Sequence, residues 1–374
     1  MTTYSAVRTT GIYCHPGCSA TPLAENVQTF ELAAAAEAAG YRACLRCRPY
    51  RVVGSVADEA PELVCRAVQL ILAGTLDAGT ETALGARLGV SVRHLRRLFH
   101  DHLGVTPDQF ARSRRAHFAR RLLDDTDLTI ADVAFASGFG SLRQFNRAMQ
   151  EVFRSRPREL RDRRRRNDRL VADGGLALRM PFGPTYDWDA MRDFLAERAI
   201  PGVESVEDGV YRRTIALDGA PGLLEIGPGG ADHLILRAHL PYWEGVIHVA
   251  ERAARLAGID SGVPGVWGPF EVAVQTVVGD RITLGRLAST YGEPVAGLPY
   301  GLTHAFPSAE VLADSNENET VVALARAVAR DDVRLDGSLA LNDLIARLVA
   351  IPGVSATAAD QIALRLGTLR PVAR

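Results

Sequence analysis

Leu84-Gly85-Ala86-Arg87-Leu88-Gly89-Val90-Ser91-Val92-Arg93-His94-Leu95-Arg96-Arg97-Leu98-Phe99 decides how the middle of the chain folds. An apolar helix stops at Gly89, and Ser91 stands where it can cap a second helix. That second helix places Val92, Leu95 and Phe99 on a buried face and Arg93, His94, Arg96 and Arg97 on an outward one. The pattern predicts a helix-turn-helix with a basic recognition face. A second copy follows in Ile130-Ala131-Asp132-Val133-Ala134, Ser137-Gly138-Phe139-Gly140-Ser141 and Leu142-Arg143-Gln144-Phe145-Asn146-Arg147. One such pattern also fits an ordinary helical hairpin. Two in tandem, with Pro107 and Pro157 at matching places, are far more specific.

Around this segment the chain divides by pattern. Its 374 residues are enough for two or three domains. Residues 1–54 hold four of the five cysteines among short strand-like and loop-like pieces, and residues 56–168 read as amphipathic helices. Residues 175–240 alternate apolar and polar positions, with turn signals at Asp218-Gly219 and Pro228-Gly229-Gly230, as in an antiparallel sheet. Residues 241–374 return to helical periodicity. The linkers fall at Gly54-Ser55 and in the arginine-rich stretch running through Asp173-Gly174-Gly175.

Net charge is −1, yet its distribution is uneven. All 43 basic residues are arginine. Between Arg87 and Arg169 they outnumber Asp and Glu by about two to one, ending in Arg161, Arg163, Arg164, Arg165 and Arg166. Such asymmetry points to a polyanionic partner, although the arginine run alone reads as a solvated helix face. No apolar run is long enough to span a bilayer, and Met1 to Tyr13 lacks the pattern of a secretory signal. A cytoplasmic location is expected.

Cys14-x3-Cys18 and Cys44-x2-Cys47 are two close pairs separated by 25 residues. Each pair can offer two sulfurs to one ion, and four thiolates in a tetrahedron suit Zn2+. Disulfides are the alternative, disfavoured in a chain with no export signal. Cys65, in Leu63-Val64-Cys65, reads as a small core residue.

The residues around these motifs carry three resemblances. Ala6-Val7-Arg8-Thr9-Thr10-Gly11-Ile12-Tyr13-Cys14-His15-Pro16-Gly17-Cys18 strongly resembles the metal domain of Ada-type alkylation-response regulators. So do Glu25-Asn26-Val27 and Ala39-Gly40-Tyr41-Arg42-Ala43-Cys44-Leu45-Arg46-Cys47-Arg48-Pro49. This resemblance implies that Cys14 is both a zinc ligand and the acceptor of a methyl group from DNA methylphosphotriesters. His15 stands where that family usually has arginine. The chemistry is sound, because zinc keeps the sulfur a thiolate and the thiolate is the nucleophile. Zinc with four thiolates carries two net negative charges, and a thioether at Cys14 removes one, easing repulsion from DNA. Arg8, Arg42, Arg46 and Arg48 are candidate phosphate contacts.

Residues 62–162 resemble the AraC-type DNA-binding domain, with 91–100 and 141–151 as recognition helices. Arg93, Arg96, Arg97, Arg143, Gln144 and Arg147 are the candidates there for base or phosphate contact, since Arg suits guanine and Gln adenine.

Leu176 to His239 resembles the amino-terminal sheet domain of AlkA-type 3-methyladenine glycosylases, through Pro181-Phe182, Trp188, Phe194-Leu195, Pro201-Gly202-Val203-Glu204 and Tyr211-Arg212-Arg213. Gly268-Pro269-Phe270-Glu271-Val272-Ala273-Val274 resembles the opening helix of the helix-hairpin-helix glycosylase fold. Leu348-Val349-Ala350-Ile351-Pro352-Gly353-Val354-Ser355 resembles its phosphate-holding hairpin. Asp280-Arg281-Ile282-Thr283 replaces the family's Gln-Gln-Val-Ser, Ser355 replaces the hairpin's second glycine, and the tryptophan shortly after it is missing. The catalytic aspartate falls beyond the residues matching Ile362-Ala363-Leu364-Arg365, and the sequence stops at Arg374, so loss of glycosylase activity is expected. Asp360 reads as a surface charge.

The expected fold is multidomain α+β: a small zinc module, an all-α double helix-turn-helix domain, an antiparallel sheet domain with helices and a partial helix-hairpin-helix domain. The expected function is an alkylation sensor and transcriptional activator that transfers a methyl group once, from DNA to Cys14. Double-stranded DNA and RNA polymerase are the implied partners. The family's second methyl acceptor, Pro-Cys-His-Arg, is absent. A regulator fused to a working 3-methyladenine glycosylase is the alternative, and a zinc-thiol redox sensor a third reading.

Overall fold

The computed structural model describes every residue except 1–2, 21, 52–59, 166–167, 173, 260–261, 263 and 367–374. Gly54-Ser55, Arg166, Asp173 and the last eight positions therefore lie outside the described residues. The chain separates into two compact units, Met1–Val171 with Trp243–Glu251, and Ala172–Tyr242 with Arg252–Arg374.

The first unit begins with a small sheet. Strands β1 (Tyr4–Val7) and β2 (Ile12–Cys14) form an antiparallel hairpin, with Ser5 opposite Cys14. Strand β3 (Val27–Phe30) pairs antiparallel with β1, and β4 (Arg42–Ala43) pairs parallel with β2. The parallel pairing needs a crossover, which helix α1 (Ala33–Ala38) supplies. It also brings Cys44, the start of the second cysteine pair, beside Cys14, the start of the first.

Seven helices follow: α2 (Glu62–Leu72), α3 (Glu81–Arg87), α4 (Val92–Leu103), α5 (Pro107–Asp125), α6 (Ile130–Ala136), α7 (Leu142–Phe153) and α8 (Pro157–Asp162). Their starts follow local chemistry. Thr80, Ser91, Thr106, Thr129 and Ser141 each accept a backbone N–H at the N-cap, and Pro107 and Pro157 occupy first-turn positions. Leu84, Leu95, Phe99, Leu103 and Phe110 close one core with α2. Val133, Phe139, Phe145, Met149 and Phe153 are buried in the second half. Helix α5 joins the two halves. The halves end differently: α4 terminates at Gly104 with φ of 69°, whereas α7 terminates at Arg154 with φ of 53°. Only glycine takes that left-handed conformation without steric cost.

The arginine run is not simply a solvated face. Arg164 pairs with Asp127 and donates to the Thr126 carbonyl, and Arg163 donates to Ser155. Both fasten the end of this segment to the rest of the first unit.

The second unit holds a five-stranded antiparallel sheet in the order β5-β9-β8-β7-β6: β5 (Leu176–Pro181), β6 (Glu204–Glu207), β7 (Val210–Leu217), β8 (Ala220–Pro228) and β9 (His233–His239). Helix α9 (Trp188–Arg198) lies between β5 and β6 in sequence. Asp218-Gly219 turns β7 into β8, both residues having positive φ, as a two-residue hairpin requires. Asp208-Gly209 does the same between β6 and β7. After α10 (Val246–Leu256), whose residues up to Glu251 belong to the first unit, come α11 (Pro269–Val278), α12 (Arg281–Tyr291), α13 (Ala309–Ala313), α14 (Glu319–Ala329), α15 (Leu341–Val349) and α16 (Ala356–Arg365). They enclose a core that includes Val274, Leu287, Leu324, Leu348 and Ile362.

Candidate metal centre and DNA-facing helices

The four cysteines converge at the end of β2 and in the loop after β4. Gly17, at φ of 80°, lets the chain double back between Cys14 and Cys18, and the Cys44 amide donates to the Tyr13 carbonyl. The Arg48 amide donates to the Cys44 carbonyl and closes a tight turn around Cys47. All four Sγ atoms lie within 4.8 Å of one another. A tetrahedron with Zn–S of about 2.3 Å needs sulfurs about 3.8 Å apart, so small adjustments seat the ion. None of the five cysteines is in a disulfide. Cys14 is buried and the other three ligand cysteines half-buried. The hydrogen bond between Cys14 and Cys47, aided by burial, pushes Cys14 up, and the same bond brings Cys47 down to about 5. Such a set of soft, mutually crowded donors suits Zn2+.

The arginines around this centre differ in fate. Arg8, at the β1–β2 turn, and Arg46, between Cys44 and Cys47, are exposed, and Arg42, in β4, is half-buried. Arg48 is not a surface contact. It is 7% exposed and donates through both terminal nitrogens to Asp168 at 2.7 Å. Its reading as a phosphate contact is therefore corrected, because its guanidinium is already committed inside the first unit. Arg51 joins it, pairing with Asp125 and Asp124, while Tyr50 donates to Asp124.

On the helix-turn-helix units, Arg93, Arg96 and Arg97 are exposed along α4, and Arg143, Gln144 and Arg147 along α7. Ser91 and Ser141 cap both helices alike, so Arg93 and Arg143 occupy equivalent first-turn positions, as do Arg97 and Arg147 one turn later. Arg96 is braced by Glu81 of α3, and Arg147 by Glu151. A groove of about 640 Å³ beside α7 is lined by Asn146, Arg147, Gln150, Arg154, Arg156 and Glu159. Of these only Arg147 was evident from the sequence. Asn146 and Gln150 are polar residues on the outer face of a recognition helix, which was the available signal.

Three family matches cover most of the chain: the metal binding domain of Ada over residues 2–50, a helix-turn-helix domain over 84–163, and the AlkA N-terminal domain over 177–273. The probable bifunctional transcriptional activator/DNA repair enzyme AlkA of Mycobacterium tuberculosis is 33% identical over 405 residues, spanning 96% of this chain and 82% of that protein. The chain belongs to this family of bifunctional activator/repair proteins. The bifunctional transcriptional activator/DNA repair enzyme Ada of Escherichia coli is 33% identical over 148 residues, covering 39% of this chain and 40% of that one. AdaA of Bacillus subtilis is 30% identical over 145 residues, covering 38% and 66%.

In this family member the second unit keeps the hairpin but uses its residues structurally. Ser355 caps α16 by accepting from the Ala358 amide, and Asp280 caps α12 in the same way. Gly353 has φ of 84°, and a Cβ there would collide with Thr320. Glu271 of α11 is buried and bound to Arg213 at 2.8 Å, and Arg213 also holds Glu204 at 3.2 Å. Burial pushes the Glu271 carboxyl up, against the opposing pull of Arg213. Asp360 is exposed. Among the described residues no helix is long and apolar enough to cross a membrane.

Proposed function

We propose that this protein senses DNA alkylation by accepting a methyl group from a methylphosphotriester on Cys14, and that the product is a transcriptional activator. The observation that carries this reading is the convergence of Cys14, Cys18, Cys44 and Cys47 in one unit with two capped, arginine-faced recognition helices. Cys14, Cys18, Cys44 and Cys47 would hold a zinc ion, whose charge would keep the Cys14 sulfur ionised at neutral pH. Cys14 Sγ attacks the methyl carbon in line, the S–C bond forms as the C–O bond to phosphate breaks, and the phosphodiester leaves with the electron pair as a stable anion. The thioether product has no route back, so each chain acts once. Arg8, Arg42 and Arg46 draw the DNA backbone to the sulfur, and Arg93, Arg96, Arg97, Arg143, Gln144 and Arg147 contact promoter bases and phosphates. Segments 1–54, 56–168, 175–240 and 241–374 would then carry methyl transfer, promoter recognition and the two parts of a glycosylase-like region. RNA polymerase is the partner of the activated form, and the cytoplasm its location.

The match to the AlkA N-terminal domain supports a second reading, removal of 3-methyladenine from DNA. We disfavour it because both carboxylates nearest the core of that unit, Glu204 and Glu271, are spent on Arg213. One experiment separates the readings. The protein is incubated with a duplex carrying methylphosphotriesters and methylated bases, then digested for peptide mass. A methyl group on the Cys14 peptide supports the sensor. Free methylated base supports the glycosylase, and cysteine oxidation alone supports a redox sensor.

A further inference from the structure

Tyr13, the residue before the methyl acceptor, is fully buried and its hydroxyl donates to Glu37 Oε1 at 2.6 Å. The same carboxylate oxygen lies 2.7 Å from His117 Nε2, which is 3.1 Å from the Tyr13 oxygen. Glu37 belongs to the helix between the two cysteine pairs, and His117 to α5, the helix that joins the two helix-turn-helix halves. The ring of His117 packs against Phe153, the last residue of recognition helix α7, with centroids 5.9 Å apart. Tyr50 closes the group, edge-on to Phe153 at 5.8 Å and against His117 at 6.5 Å. Strand β4, which leads into Cys44, also packs on α7. Tyr13 and His117 therefore bridge the acceptor's strand to the second recognition helix.

We propose that Tyr13, Glu37 and His117 form a positioning relay that carries methylation of Cys14 to α7, so that the second helix-turn-helix half is the one whose DNA contacts respond. This deepens the proposed function and rests on Cys14 being a methyl acceptor. The physical argument is one of volume and rigidity. Cys14 is 7% exposed, so a methyl group added to its sulfur has little free space and must displace its own strand. Tyr13, on that strand, is locked by a carboxylate and an imidazole and has no slack of its own. The displacement passes to His117 and then to the Phe153 ring. Charge removal at zinc acts on all nearby phosphates alike, whereas this relay acts on one helix.

The test uses full-length zinc-loaded protein and a duplex selected from a random-sequence pool on the methylated wild type. Promoter affinity is measured before and after methylation for wild type, His117→Leu and His117→Gln, alongside methyl uptake at Cys14 and zinc content. The expected result is unchanged uptake, zinc content and unmethylated affinity in His117→Leu. Its methylation-dependent gain, roughly 5- to 150-fold for coupled sites, should fall severalfold to the salt-dependent part that charge removal alone supplies. His117→Gln, which keeps a side-chain donor, should recover part of the gain. Tyr13→Phe, which deletes only the hydroxyl, replaces His117→Leu if the latter does not fold. A full gain in the relay variants, or an equal loss of unmethylated and methylated affinity, overturns the relay while leaving the acceptor role of Cys14 intact. Absence of methyl uptake in wild type overturns the acceptor role and the relay with it.

Discussion

Arg48 and Asp168, 120 residues apart, are joined by two parallel hydrogen bonds of 2.7 Å, Nη1 to Oδ1 and Nη2 to Oδ2. Arg48 adjoins the zinc-ligand candidate Cys47, and Asp168 lies beyond the second helix-turn-helix half. Asp124 of α5 stands in the same cluster, reached by Arg48, Arg51 and Arg120. Burial disfavours the charge on Asp168, but the hydrogen bonds from Arg48 and the Arg165 amide prevail and hold it down to about 2. Removing one partner of such a buried pair strands the other, so Asp168→Ala should destabilise the first unit by about 3 kcal/mol in urea unfolding. Arg48→Ala should do likewise without changing the salt slope of DNA binding, which a phosphate contact would lower by about 1.

The same pair sets an acid limit. A carboxyl whose folded pKa is depressed contributes stability above its unfolded value of about 3.9, and that contribution is lost as pH falls toward the folded value. The wild-type midpoint should therefore fall between about pH 4 and pH 2 by more than that of Asp168→Asn. Parallel pH profiles for the two proteins would show the idea to be wrong.

One zinc per chain is expected, held by Cys14, Cys18, Cys44 and Cys47. Cys44→Ala should release the ion and unfold the module around it, because a three-sulfur site in so small a sheet loses the binding energy that orders it. Metal analysis and circular dichroism read both effects. An ordered, metal-free module would count against a structural role for the ion.

Methylation of Cys14 should tighten promoter binding by about 1–3 kcal/mol at fixed salt. Because one negative charge disappears beside the DNA, the salt dependence should steepen by up to about one unit. Titration of both forms at several ionic strengths decides it, and equal affinities would reduce Cys14 to a repair acceptor.

Purified protein should not release 3-methyladenine from alkylated duplex. Departure of the base builds positive charge on the sugar, which an aimed carboxylate must offset. Glu204 and Glu271 are both already held by the single Arg213 guanidinium. Release at multiple turnovers would mean that another carboxylate reaches the site.

Much of the architecture was legible because its signals are local. Ser91 and Ser141 cap their helices, Asp218-Gly219 turns its hairpin, and the cysteine spacing announces a four-sulfur cluster. Asp208-Gly209 carries the same turn signal and was overlooked beside the stronger runs around it. What sequence could not disclose depends on partners far along the chain. Arg48 looks like any surface arginine until Asp168 is placed against it, and His117 like any helix residue until Tyr13 is. Ser355 reads as an eroded hairpin glycine, yet in place it caps a helix. Residues 243–251 read as the start of the last helical segment, but they cluster with the first unit.

The second helices of the two helix-turn-helix halves end on the same left-handed backbone, at Gly104 in the first and at Arg154 in the second. The first half takes the residue that folds most easily. The second keeps a side chain whose Cβ is crowded in that conformation, at a cost of about 1 kcal/mol. That side chain is a cation lining the groove beside α7, next to Arg147 and Arg156. The end of α7 thus trades conformational ease for a positive charge at the groove, a trade that the glycine ending α4 does not make.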